Sequence, residues 1–230
     1  MNLNTINSGA TSARIYWGKS LFFMIFGVFL LAGCSVLPDK PVRANLYDFG
    51  PGDLTGKPTT QQTALPALAI DDISTSGGAL DNQAVLYRLT YQNAQELRPY
   101  TLARWAAPPA QLVRQRLREQ LGQRRSVFDA RGGLALNRSQ NAVLPPLLRL
   151  DLEEFSQVFT TPEASVGLIR LRATLIEQAT SGEKLIAQRS IVVQRPAPSA
   201  DAQGGVKALT QATDAAIEEI DAWLQQSAQR

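Results

Sequence analysis

The sequence has no histidine and one cysteine among its 230 residues. Without histidine, the chain cannot supply a Ser-His-Asp triad, a histidine-ligated zinc ion or an imidazole base that titrates near neutral pH. With one cysteine, it can form neither an internal disulfide nor a zinc or iron–sulfur site held by several thiolates. These absences exclude most common enzyme classes, and we predict that the protein is not an enzyme and holds no metal.

The N-terminus has the pattern of an export signal. Arg14 and Lys19 are the only charged side chains before an apolar run of 13 residues, 21–33. That run is shorter than the roughly 20 residues needed to span a bilayer. A basic segment followed by a short apolar segment is typical of a secretory signal peptide.

The run ends in Leu31, Ala32 and Gly33 directly before Cys34, which matches the bacterial lipobox L-[AS]-[GA]-C. In proteins with this motif the chain is cut before the cysteine, which then carries diacylglycerol and an N-acyl group. Several acyl chains on one residue make a stable membrane anchor. We therefore predict a signal peptide over 1–33 and a lipid on Cys34, with no other cofactor. The alternative to this interpretation is an uncleaved anchor with an incidental cysteine. Ser35 occupies the position after the cysteine where an inner-membrane retention signal would place Asp, and it therefore favours the outer membrane.

Cleavage at this site changes the charge balance. The full chain has 23 basic and 20 acidic residues and a net charge of +3. Removal of 1–33 leaves 21 basic and 20 acidic side chains, a net charge of +1. A nearly neutral mature chain does not favour nucleic-acid binding, and we predict none.

The mature chain divides into a tether and one domain. Residues 34–62 are rich in Pro, Gly, Thr and Asp and predict a lipidated tether, in which the apolar stretch Leu46–Phe49 predicts a short strand that joins the domain's sheet. Residues 63–230 form the predicted domain. Its predicted strands are 65–73, 85–91, 101–105, one beginning at 126–128, 148–159, 166–178 and 185–194.

Two helices complete the predicted domain. One opens at Pro108-Pro109 and ends near Gly122, and the other covers about 201–227 with an apolar stripe along one side. Alternating apolar and polar residues in the later strands indicate a sheet with one covered and one wet face. The predicted fold is therefore α+β, a two-layer domain with a mostly antiparallel sheet covered by two helices.

The carboxylate pairs Asp71-Asp72 and Glu153-Glu154 are the nearest approach to a catalytic motif. Adjacent residues on a strand point to opposite faces, so neither pair alone makes an acid–base couple. We predict a surface role for both and no catalytic residue. An envelope hydrolase, the alternative, would need two carboxylates that converge in a cleft.

Arginines are concentrated around the first helix, with only Glu96 and Glu119 among them: Arg98, Arg104, Arg114, Arg116, Arg118, Arg124 and Arg125. Two interpretations remain open, a solvated face or a contact with an acidic partner or anionic lipid head groups. The candidate contact residues are Arg104, Trp105, Arg114, Arg118 and Arg125. For Trp105, which precedes Ala106-Ala107-Pro108-Pro109, a role as a core residue is the alternative.

Several of these features, in this order, resemble the ABC-type transport auxiliary lipoproteins of the paraquat-inducible protein C type. They are the lipobox, the segments 46–49, 85–88 and 104–109, the stretch 150–155, and the terminal helix with Ala208, Ile220, Trp223 and Leu224. The resemblance covers nearly the whole mature chain, although none of its motifs is catalytic.

The resemblance implies a role in envelope lipid traffic. Members of the family work with an ABC permease and ATPase and with an MCE-domain protein that carries hydrophobic cargo between the membranes. The implied role is a non-catalytic lipoprotein on the periplasmic face of the outer membrane that docks the MCE assembly, as a ring of subunits. The alternative is an envelope-assembly lipoprotein for lipopolysaccharide or outer-membrane protein insertion; a lipid-carrying variant would need an apolar groove that fits an acyl chain.

Overall fold

The computed structural model describes residues 42–52, 65–130, 144–179 and 182–227. The chain divides into two units, Met1–Val42 and Arg43–Arg230, and the architecture below is that of the second. The predicted signal peptide, the lipobox residues 31–33 and Cys34 lie outside the described residues. Their assignments remain predictions.

The described residues form nine strands and three helices. The strands are β1 (Asn45–Tyr47), β2 (Leu68–Ile70), β3 (Ser74–Thr75), β4 (Ala84–Leu89), β5 (Ala94–Trp105), β6 (Val127–Asp129), β7 (Leu147–Phe159), β8 (Ser165–Ala179) and β9 (Gly182–Pro196). The helices are α1 (Thr90–Asn93), α2 (Pro109–Gly122) and α3 (Ala202–Ser227). The α+β class is confirmed, and the two longer helices are those that the sequence predicts.

Strand β7 is the centre of the sheet. One of its edges pairs with antiparallel β8 along its whole length, from Leu147 opposite Ile176 to Phe159 opposite Ser165. Strand β8 then pairs with antiparallel β9. These long pairings are the ones that the alternating sequence pattern predicts, because consecutive strands joined by tight turns pair antiparallel.

The other edge of β7 pairs with three short strands in succession, β2, β3 and β4, all of them parallel to it. Strand β2 also pairs with parallel β6, while β4 pairs with antiparallel β5, and β5 with parallel β1. The sheet is therefore mixed, with largely parallel pairing around its centre, and the prediction of a mostly antiparallel sheet is wrong. The physical reason is that β2, β3 and β4 precede α2 in the chain and β7 follows it, so this crossover brings the strands together in the same direction.

The helices cover the sheet through one continuous hydrophobic core. Helix α3 has a regular stripe of buried residues that packs on β7, β8 and β9, and its members include Leu209, Ala216, Ile220 and Leu224. The stripe recurs every three or four residues, as expected for a helix with one buried side. Helix α2 contributes Val113 and Leu117 to the same core, and both are fully buried.

The N-terminal segment is built into this domain. Strand β1 pairs residue by residue with the end of β5, so the predicted strand within 46–49 is confirmed. Just beyond it, Phe49 is buried, and its ring centre lies 5.7 Å from that of Trp105 and 6.1 Å from that of Phe155. Such edge and tilted ring contacts stabilise beyond the area that they bury, so the segment is fixed to the core.

Helix α3 approaches β8 closely where β8 has a glycine. A Cβ atom added to Gly167 would lie 2.5 Å from the backbone of Ala208 and Leu209. At the same end of the helix, a Cβ on Gly205 would overlap the amide of Gln157, which is fully buried. That amide accepts a hydrogen bond from the Tyr100 hydroxyl at 2.8 Å and donates one to Ser165 at 2.7 Å. Burial raises the pKa of Tyr100 above its usual range, so the hydroxyl remains a donor.

We expect Gly167→Ala to lower the free energy of unfolding by roughly 2 kcal/mol, because the new methyl group meets helix backbone that cannot move aside. In a domain of this size the melting temperature should fall by about 6 °C. The matched control is Gly78→Ala, since a Cβ there has no heavy atom within 4 Å. Thermal denaturation followed by circular dichroism measures both; equal melting temperatures for the two variants would contradict the close approach.

Asp201 caps the N-terminus of α3. Its carboxylate accepts hydrogen bonds from the Gly204 amide at 2.7 Å and the Ser199 hydroxyl at 2.8 Å. These bonds, the Gly204 bond first, hold the pKa of Asp201 below its usual value. The charged form therefore stabilises the fold above the ordinary carboxyl pKa, and this contribution is lost as the pH falls through the lowered, folded-state pKa.

Asp201→Ala should cost about 1 kcal/mol at neutral pH, whereas Asp201→Asn should cost less because asparagine also caps helices. The wild-type advantage over Asp201→Ala should shrink in acid, as the carboxyl becomes protonated. Urea denaturation at neutral and acidic pH checks both expectations. If the difference in free energy of unfolding between wild type and Asp201→Ala did not change with pH, the carboxylate charge would contribute nothing to stability.

Candidate functional site

Trp105 belongs to the core. Its side chain is fully buried between Phe49 and Phe155, with ring centres at 5.7 and 5.6 Å. A side chain in this position has no surface to offer a partner. Of the two interpretations of Trp105, the structure supports the core residue and corrects its inclusion among contact residues.

Arg104 lies beside an irregularity in the pairing of β5 with β4. The register between β4 and β5 shifts so that Ala84 pairs with Arg104 but Leu86 pairs with Pro99, which leaves several residues of β5 unpaired on this side. The Arg104 guanidinium donates to the carbonyl oxygens of Tyr100 at 2.5 Å and Ala103 at 2.9 Å. It thereby satisfies acceptors that the bulge leaves free.

Two other arginines join the helices. Arg116 of α2 binds Asp214 of α3 through two hydrogen bonds of 2.7 and 3.2 Å, and the Asp214 carboxylate raises the pKa of Arg116. Arg125, just after α2, donates to Asp221 one helical heptad further along α3, and its side chain is only 5% exposed. Bidentate and buried arginine–carboxylate pairs fix geometry strongly, so these contacts set the position of α2 on α3.

Arg114 and Arg118 share a different carboxylate. Both donate to Asp129 at the end of β6, Arg114 at 2.5 Å, and Arg114 also lies 3.4 Å from Asp72. These side chains are 28% and 35% exposed. Like Arg104, which is also half-buried, they remain partly accessible, and the contact of these predicted residues with a partner stays a prediction.

These two arginines form one wall of a broad groove of about 840 Å³ between α2 and the segment 72–81. The facing wall carries Asp72 and Asp81, and Ile73 and Leu80 also line the groove. Cationic and anionic walls therefore face each other. A partner with both signs of charge would complement this groove better than a purely acidic one.

The partners of the arginines were not identified from the sequence. Asp214 and Asp221 lie seven residues apart on one side of α3, and Asp129 follows a three-residue strand. The pairing itself joins residues about 100 positions apart, and no local pattern reveals it.

The carboxylate pairs do not form a shared acidic centre. Each of the four side chains has its own arginine: Asp71 with Arg149, Asp72 with Arg114, Glu153 with Arg172 and Glu154 with Arg88. Within the described ranges, no group of three Asp, Glu, Cys or His side chains is arranged to hold a metal ion.

Across the same residues, no helix has the length and apolar character needed to cross a membrane.

The two classes of arginine predict different energetic costs. Arg125→Ala should lower the free energy of unfolding by roughly 3 kcal/mol, because it removes one member of a buried ion pair. Arg118→Ala should cost less than about 1 kcal/mol, since the pair is exposed and Asp129 keeps Arg114. Denaturant titrations of both variants measure the difference. Similar small losses for both would mean that the Arg125 pair does not hold the helices together.

Comparison with known proteins gives one family match. The model of the ABC-type transport auxiliary lipoprotein component family matches residues 47–221. A comparison with curated proteins gives no match.

Solved structures show the same fold at low identity. A crystal structure of a Xanthomonas campestris protein of the DUF330 family is 20% identical, with a TM-score of 0.58, and the match covers 73% of this chain and 92% of that one. A crystal structure of an uncharacterized protein is 14% identical, with a TM-score of 0.55, and the match covers 79% of this chain and 99% of that one. At these identities the likeness extends to the fold alone.

Proposed function

Because the chain belongs to the ABC-type transport auxiliary lipoprotein component family, we propose that it is a lipid-anchored, non-catalytic component of an ABC/MCE-type lipid transport system. In this proposal Cys34 carries the lipid and holds the protein on the periplasmic face of the outer membrane. The domain docks the MCE protein, which works with the ABC permease and ATPase. The family match over 47–221 is the observation that carries the proposal, and the lipobox at 31–34 supports it.

The docking of the N-terminal segment limits the distance between domain and membrane. Strand β1 begins at Asn45, and ten residues separate it from Cys34. The eleven Cα–Cα steps from Cys34 to Asn45 span at most about 40 Å when fully extended. A domain of this size is about 40 Å across. An anchored domain would thus stay within about one domain diameter of the bilayer, where it can receive an assembly that spans the periplasm.

The ionic contacts support a binding role over a catalytic one. The carboxylates at 71–72 and 153–154 are engaged by separate arginines, and a hydrolase would need two of them converging on one substrate. The groove between α2 and 72–81 has a volume of about 840 Å³ and carries side chains of both charges. Such a groove suits a polypeptide partner.

A ring of copies is part of the proposal. Strand β9 pairs with β8 alone among the described residues, and its other edge runs for 15 residues. Val192 on this strand is 51% exposed. Long edges with exposed apolar side chains readily pair with another chain, and a second copy is the simplest partner.

The test is in-cell crosslinking of the full chain, followed by purification through a C-terminal tag. We expect the MCE protein to be recovered with the wild type. Ser35→Asp should keep the lipid but place the inner-membrane retention residue after Cys34, so recovery of the partner should fall at least fivefold. Ser35→Thr is the matched control and should behave as wild type.

Two results would contradict the proposal. One is repeated absence of an MCE protein from wild-type crosslinked material. The other is recovery of lipopolysaccharide-export or outer-membrane insertion components in its place, which would favour the envelope-assembly alternative.

A further inference from the structure

An apolar groove lies at the C-terminal end of α3 and has a volume of about 350 Å³. We call it the α3-end groove. Its apolar lining comes from the chain around the starts of β2 and β7, from β8 and β9, and from the helix: Leu65 and Leu68, Pro146, Leu175, Ile186 and Leu224. It is separate from the charged groove between α2 and 72–81, with which it shares no lining residue.

Backbone contacts and a bulge shape this groove. The Leu65 amide donates to the Arg124 carbonyl at 2.9 Å, and the Leu68 amide donates to the Ser126 carbonyl at 3.0 Å, so one wall is fixed to the chain after α2. On the opposite side, Leu175 pairs with Ala187 and Ile176 with Leu185, which leaves Ile186 as the extra residue of a bulge. Bulges redirect side chains, and Ile186 lines the groove while remaining 43% exposed.

Two arginines beside the apolar walls have hydrogen-bond donors without an acceptor among the described residues. Arg125 lines the groove with its side chain 95% buried, that is 5% exposed, and its Nε–H has no hydrogen-bond acceptor among the described residues. Its Nη2 binds Asp221, and the same carboxylate lies 3.6 Å from Nη1 of Arg124. The Nε–H of Arg124 is likewise buried and unpartnered within the described part of the chain.

Two guanidinium groups therefore share one carboxylate. A buried donor without an acceptor is costly to a protein, and a ligand that supplies the acceptor relieves that cost. The local excess of one positive charge attracts an anion. Apolar walls next to this positive charge form a site that suits an amphiphile, a molecule with an apolar chain and a charged head group.

We propose that the α3-end groove binds one acyl chain whose anionic head group lies against Arg125; Arg124 does not line the groove but supplies the excess positive charge through the Asp221 carboxylate that it shares with Arg125. A methylene group is similar in size to a water molecule, which occupies roughly 30 Å³ in the liquid. The groove volume therefore corresponds to about twelve methylene groups. The head group is a carboxylate or a phosphate, from a free fatty acid or an anionic phospholipid. The site gives the domain a lipid-binding activity beyond docking and does not depend on the MCE partner.

The test uses the full lipidated chain in vesicles of phosphatidylethanolamine and phosphatidylglycerol. Each vesicle preparation contains a trace of one photoreactive probe, either diazirine palmitate or phosphatidylglycerol with a diazirine-bearing acyl chain. After irradiation, adducts are located by tryptic digestion and mass spectrometry. We expect them on the peptide Leu185–Arg189 and on the peptide 208–230, which carries Leu224. The stronger of the two probes identifies the source of the head group.

Two pairs of variants separate specific binding from general contact with lipid. Ile186→Gln should reduce the adducts at least fivefold, whereas Leu102→Gln should change them less than twofold. Ile186 and Leu102 are aliphatic strand residues that are 43% and 47% exposed, but only Ile186 lines the groove. Arg124→Gln should reduce labelling by diazirine palmitate at least threefold and leave labelling by diazirine hexadecanol, an uncharged probe, unchanged. Arg124→Lys should restore labelling by diazirine palmitate. Melting temperatures confirm that each variant is folded.

Two results would overturn the proposal: equal labelling of wild type and Ile186→Gln, or labelling confined to the peptide 190–207, which lies outside the groove. Loss of MCE capture with groove adducts intact would instead contradict the docking role and leave the lipid site standing. The two proposals therefore fail separately.

Discussion

Strand β7 has backbone partners along both edges, and the positions of the other elements follow from that constraint. One edge is occupied by β8 over the full length of β7, and the other is divided among β2, β3 and β4. Because strand backbone groups buried in a core must be paired, each short strand has its place fixed by the stretch of β7 that it satisfies. The long hairpin of β8 and β9 can then present one face to α3, while the short strands carry the chain toward α2.

The arginines act mainly within the domain. Arg116 and Arg125 hold α2 to α3 through Asp214 and Asp221, and Arg104 satisfies the carbonyl groups of a bulge. Clustered cationic residues in a sequence suggest an external anionic partner, but here their carboxylates come from the same chain. Buried Nε–H groups without an acceptor occur among the described residues on Arg114, Arg124 and Arg125, and at the end of α3 two of these arginines share the single carboxylate of Asp221. Charge and apolar surface meet there, and this is why the lipid site is assigned to that end.

Much of the fold could be predicted from sequence because it depends on local patterns. Strands β7, β8 and β9 alternate clearly, α3 has a long apolar stripe, and Pro108-Pro109 marks the start of α2. The parallel pairing could not be predicted, because β2 and β3 have three and two residues and their partner lies far along the chain. The same limit applies to the site: the groove lining joins residues from 65 to 224, and the orphaned donors appear only once Asp221 is placed. Local sequence predicts elements, whereas their long-range contacts decide the function of each arginine.

The proposed membrane anchor on Cys34 underlies both the proposed docking role and the access of the α3-end groove to lipid. Mass spectrometry of the protein purified from cell envelopes tests it most directly. The predicted result is a chain that begins at Cys34 and carries diacylglycerol on the thiol and an acyl group on the amino terminus. A chain that retains residues 1–33 with a free thiol at Cys34 would contradict it.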